Sequence, residues 1–77
     1  MKFQKLDVVV LEKDLPVLGL KKGDLGAVVE LYMPDGLEVE FVTASGRTQA
    51  LAILTESDVR SVVANDLVAV RPHRKTA

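Results

Sequence analysis

Gly23-Asp24-Leu25-Gly26-Ala27-Val28-Val29-Glu30-Leu31-Tyr32 opens on a Gly-Asp turn signal and runs into a strand rich in β-branched residues. Pro34-Asp35-Gly36 then turns the chain back into Leu37-Glu38-Val39-Glu40-Phe41. Two strand-like runs about a glycine-bearing turn are the signature of a β-hairpin. The returning arm alternates cleanly, with Leu37, Val39 and Phe41 on one face and Glu38 and Glu40 on the other. A period of two fits an antiparallel strand with one face in a core and one in water.

Outward from this hairpin, Leu6 to Leu11 reads as a preceding strand, because Val8, Val9 and Val10 suit a pleated surface. Leu15-Pro16-Val17-Leu18-Gly19-Leu20 is a loop, and its leucines are expected to fold over an open end of the core. Lys21-Lys22-Gly23-Asp24 is a solvated turn; a phosphate loop would need a helix after it, and a strand comes instead. Thr48 to Leu54 is the next strand, apolar on both faces, so it is either central or covered by another subunit. Thr55-Glu56-Ser57-Asp58 carries capping residues for a short turn. Val59 to Val63 is a short strand or the end of that turn, and Leu67-Val68-Ala69-Val70 is a further strand-like run. The pattern predicts an all-β fold: five short strands in a small bent sheet closed as a barrel, with a 3₁₀ or helical turn near residues 55–59. Residues 1–71 form the single domain and 72–77 a flexible C-terminal tail.

A chain of 77 residues has room for one small domain. It carries no cysteine, so packing or self-association must supply what disulfides give other small folds. Only Phe3, Tyr32 and Phe41 are aromatic, so the core is aliphatic. The net charge of −1, with both signs mixed along the chain, argues against a general nucleic-acid binder. No apolar run is long enough for a membrane span, and the charges after Met1 leave no signal-peptide core, so the expected compartment is the cytoplasm.

Catalytic sets are hard to assemble here. The sole histidine, His73, lies in the tail, so no Ser-His-Asp triad forms without it and no Cys-His pair exists. Glu30, Glu38 and Glu40 offer three carboxylates to a hard cation, but a solvated acidic face that keeps a sheet soluble fits them better. Arg60, Arg71, Arg74 and Lys75 make the last third locally basic, without the interleaved aromatics that stack bases. A small aliphatic barrel is also expected to lack a pocket of the usual ~300 Å³ or more.

The blocks Asp7-Val8-Val9-Val10-Leu11, Asp14-Leu15-Pro16, Gly19-Leu20, Gly23-Asp24-Leu25-Gly26, Glu38-Val39-Glu40-Phe41, Gly46-Arg47-Thr48 and Asp58-Val59-Arg60 stand in this order. The pattern resembles a small bacterial family known only as a domain of unknown function, whose members look like SH3-like barrels. The resemblance runs from Leu6 to Arg71 and departs at Ser61, where members often have proline. It implies an SH3-like five-stranded barrel and no catalytic residue, cofactor or metal ligand.

The function expected from these observations is a non-enzymatic interaction module that binds a partner protein or itself, with a dimer favoured. The candidate interface residues are Tyr32 and Met33 at the hairpin tip, Arg47, the small Ala50 and Ala52, and Arg60. The alternatives are a nucleic-acid-associated module using the basic C-terminal third, or an accessory subunit of a larger enzyme.

Overall fold

The computed structural model describes residues 1–73. Five strands, β1 (Val8–Leu11), β2 (Leu25–Tyr32), β3 (Gly36–Val42), β4 (Thr48–Thr55) and β5 (Val59–Ser61), form one antiparallel sheet. Its order is β4-β3-β2-β1-β5. The all-β fold and the number of strands are those expected, with the fifth at Val59–Ser61, which the sequence leaves open between strand and turn. The sheet curls without closing, because β4 and β5 do not pair, so the domain is barrel-like and keeps two edges. Pro16–Leu18 and Glu56–Asp58 are single 3₁₀ turns, the second where a capped turn is expected.

The central hairpin pairs Leu31 with Leu37 and Tyr32 with Gly36. Leu37, Val39 and Phe41 point into the core as their alternation requires, with Leu37 and Val39 wholly buried. The other arm, β2, reaches the same register only through a bulge between Val28 and Glu30. A bulge adds one unpaired residue and flips the facing of the residues beyond it. Val28 faces in before it; after it Glu30 lies beside Glu38 on the outer face, and Leu31 packs with the core. A regular strand would have turned Glu30 inward.

Leu20 joins the core and Leu15 and Leu18 pack against it, so the apolar loop closes one end of the barrel as expected. Phe3 is buried in the same cluster. β1 starts two residues later than the sequence pattern suggests. Leu6 takes a left-handed conformation (φ 74°) in a turn whose Gln4 N–H is bonded by the Asp7 carboxylate at 2.9 Å. β5 is only three residues long, and Leu67-Val68-Ala69-Val70 forms no strand. The predicted tail is described as far as His73; residues 74–77 lie outside the described residues.

Asp58 closes the 3₁₀ turn between β4 and β5. Its carboxylate accepts the Thr55 N–H at 2.9 Å and meets Lys13 Nζ at 3.2 Å. Replacing such a cap by alanine costs about 1 kcal/mol. Asp58→Ala is therefore expected to lower the urea midpoint without changing the slope of the transition; an unchanged midpoint would show that the turn is held by β5 pairing alone.

Candidate functional site

Two surfaces of the sheet are left for function by this packing. The first is the outer face at the β5-β1-β2 end. Val10 points away from Val9 and Leu11 and is only 6% exposed. It lines a cleft with Leu25, Val42 and the chain after β5, residues 62–73, which arches over this face as an arm. The cleft holds about 520 Å³. Its volume corrects the expectation that so small a barrel offers no pocket, because the arm supplies a wall that the sheet alone does not.

Two arginine–carboxylate pairs fix the ends of the arm. Arg60 of β5 makes a two-pronged contact with Asp66, Nη1 to Oδ2 at 2.9 Å and Nη2 to Oδ1 at 3.0 Å. Asp66 also accepts the Val63 N–H at 2.8 Å. At the far end Arg71 grips Asp24 with Nε and Nη2, the Nε contact being 2.9 Å, and donates to the Gly19 carbonyl at 3.0 Å. His73 Nε2 donates to the Leu18 carbonyl at 3.0 Å. Planar guanidinium forks suit such two-point contacts with carboxylates.

Burial opposes ionisation of Asp24, but hydrogen bonds from Arg71 and from the Lys21 N–H outweigh it and hold the carboxyl below its ordinary range. A carboxyl whose folded pKa is depressed stabilises above its unfolded pKa of about 3.9 and loses that contribution as pH falls toward the folded value. The arm is therefore expected to stay docked at neutral pH and loosen below about pH 4. Asp24→Asn should loosen it at pH 7. Backbone order parameters of residues 67–71 should then drop from about 0.85 toward 0.6 or less, with the sheet unchanged. Unchanged values would mean that apolar contact holds the arm without the ion pair.

The second surface is the outer face of β3 and β4. Register places Leu51 opposite Glu40 and Ile53 opposite Glu38, with Glu38 opposite Glu30 on β2. The three carboxylates thus share a face, as the alternation of β3 suggests for two of them. Each has its own partner: Glu30 meets Lys5 Nζ at 3.4 Å, Glu38 accepts the Tyr32 hydroxyl at 2.9 Å, and Glu40 accepts the Thr48 hydroxyl. The Leu31 N–H and then Lys5 lower the Glu30 pKa, and the bond to Glu38 raises that of Tyr32. Among the described residues no three histidine or carboxylate side chains are grouped to hold a metal ion.

The candidate interface residues fall in different places. Tyr32 and Met33 are exposed at the hairpin tip, beside a cis Met33–Pro34 peptide. Arg47 is exposed in the β3–β4 turn, where its carbonyl accepts the Thr43 N–H at 3.0 Å. Arg60 is tied to Asp66 and Glu12. Ala50 and Ala52 lie on the core side of β4. Their small size fits the curl of the sheet there. The open face of β4 is that of Leu51 and Ile53, 52% and 66% exposed, and β4 is an edge strand, not a central one. The sequence set also omits the arm residues Leu67 and Val70, 95% and 97% exposed. Leu67-Val68-Ala69-Val70 is a strand-like apolar run by sequence, but it forms no strand in this chain.

A family model described as Domain of unknown function (DUF4926) matches residues 5–61. The match ends with β5, so the arm lies beyond the shared unit, whereas the resemblance read from the sequence extends to Arg71. Comparison with curated proteins and with solved structures gives no match.

Proposed function

The chain belongs to this family of unknown function, and we propose that it is a non-enzymatic interaction module that binds a partner protein or a second copy of itself. The observation that carries the proposal is the aliphatic surface left in water. Leu51 and Ile53 on β4, with Leu67, Val68 and Val70 on the arm, are all exposed in a chain too small to spare them. Catalysis has less support, because the polar groups around the cleft are engaged with one another: Asp24 with Arg71, and Asp66 with Arg60. The same pairs weaken a phosphate-binding role, since both arginines already face carboxylates. In this reading the protein works in the cytoplasm; no helix among the described residues is long and apolar enough to cross a membrane.

The test is sedimentation velocity on the untagged chain at micromolar concentration, with capture of bound proteins from the native cells. A complex, homomeric or heteromeric, whose formation protects the β4 or arm surface from hydrogen exchange is the expected result. A monomer at every concentration that captures no protein would overturn the proposal.

A further inference from the structure

We infer that the free edge of β4 receives the β4 edge of a second copy, antiparallel about a two-fold axis through Ala52, joining two five-stranded sheets into one. The inference rests on the interaction-module proposal and narrows its partner to the chain itself.

Among the described residues β4 has a ladder partner on one side only, β3. Its other edge offers a row of backbone donors and acceptors, which natural sheets usually blunt with charge, proline or a cover. Thr48–Thr55 contains no charged residue and no proline. An edge left unguarded in this way is a template for strand addition.

Facing and a bulge together set the register. Residues directly opposite in an antiparallel pair share a face, so a two-fold axis must pass through a residue rather than between two. The β3–β4 register shifts between Phe41 and Val42, which leaves Gln49 as the extra residue. The regular stretch is therefore Ala50 to Thr55, and the residues at its middle are Ala52 and Ile53. An axis through Ile53 would set Leu51 against Thr55 and Ala50 against Glu56. Pairing about Ala52 sets Leu51 against Ile53 of the second copy on the outer face, and Ala50 against Leu54 on the inner face. Apolar meets apolar in each of these pairs. An axis through Leu51 would instead set Gln49 against Ile53 and Thr48 against Leu54.

Charge permits the same arrangement. Glu40 sits on β3, so the Glu40 rows of the two copies stand three strand spacings apart, about 14 Å. That exceeds the Debye length of about 8 Å at physiological ionic strength. The interface is short by the standard of stable dimers, so the dissociation constant is expected to be on the order of micromolar or weaker.

The experiment combines sedimentation with site-directed cross-linking of the full chain, which has no cysteine of its own. In the parent, a concentration-dependent monomer–dimer equilibrium is expected. The double variant Leu51→Lys/Ile53→Lys should raise the dissociation constant by more than about tenfold, because like charges then face each other across the axis. Within one copy those lysines lie opposite Glu40 and Glu38, so the fold is retained, and its circular dichroism checks this. A mixture of Leu51→Cys and Ile53→Cys chains should oxidise to the mixed dimer in preference to either like pair. Opposite residues are about 5 Å apart at Cβ, and diagonal ones about 7–8 Å.

A parent that stays monomeric overturns the inference, and capture of another protein then still supports the module proposal. A dimer that survives the lysines also overturns it, and leaves self-association through another surface. Like-pair cross-links as abundant as the mixed one overturn the register. Should the lysine variant fail to fold, the cross-linking pattern decides alone.

Discussion

Leu37→Ala is expected to destabilise the domain by about 2–5 kcal/mol. Leu37 is wholly buried at the middle of the sheet, between Leu31 of β2 and Leu54 of β4 in register. Truncation removes its transfer free energy and leaves a cavity that three paired strands resist collapsing into. A domain of this length is stable by only about 4–11 kcal/mol, so the loss is a large share of the whole. The urea midpoint should fall with the slope unchanged, and the melting temperature should drop by more than about 10 °C. Leu37→Met nearly conserves volume and should cost less than about 1.5 kcal/mol. Equal effects from the two variants would contradict a tightly packed interior at this point.

Gly26→Ala should destabilise for the opposite reason. A Cβ built on Gly26 lies 2.5 Å from Val39 Cγ1, 2.9 Å from Phe41 Cε1 and 3.1 Å from the Glu40 carbonyl oxygen. Val39 and Phe41 are both buried, so neither has room to yield. Overpacking of this kind costs about 1–3 kcal/mol. The partner variant Val39→Ala removes the atom that the new methyl strikes. The double variant Gly26→Ala/Val39→Ala should therefore lose less than the sum of the two single losses. Strict additivity would show that Gly26 is needed for its backbone and not for the space above it.

These two residues show how far the fold is legible in the chain. Leu37 is evident at once, because Leu37, Val39 and Phe41 alternate with glutamates on a strand whose facing never slips. Gly26 looks like part of a Gly-Asp-x-Gly turn, yet it lies inside β2, and its role is a close approach between strands. Val29 is harder still. Nothing in Val28-Val29-Glu30 says that one residue is extra; the bulge becomes visible only when β2 is laid against β3. Edge and centre are hidden in the same way. Thr48–Thr55 is apolar on both faces, which is normally the mark of a covered strand, and only the sheet order reveals it as an edge.

The candidate site is legible in part. Tyr32 and Met33 stand exposed where their position before Pro34 suggests. Ala50 and Ala52 fall on the core side of β4; small residues suit a tightly curled sheet as well as a close approach between chains, and composition does not distinguish these. The basic C-terminal third looks like a phosphate surface because its partners, Asp24 and Asp66, are ordinary acids in loops. An ion pair between Arg71 and Asp24 spans 47 positions of sequence, and no local pattern announces it. The family match takes in the sheet side of the cleft, with Val10, Leu25 and Val42, but not the arm that walls it.

Amide hydrogen exchange along Thr48–Thr55, monitored across a range of protein concentrations, tests the central claim most directly. On this account alternate amides, bonded to β3, are protected at every concentration. The amides between them exchange quickly in dilute solution and slow as the concentration rises. Uniform protection of all eight positions at high dilution would mean that the edge is already covered, and would contradict an open, pairing-competent β4.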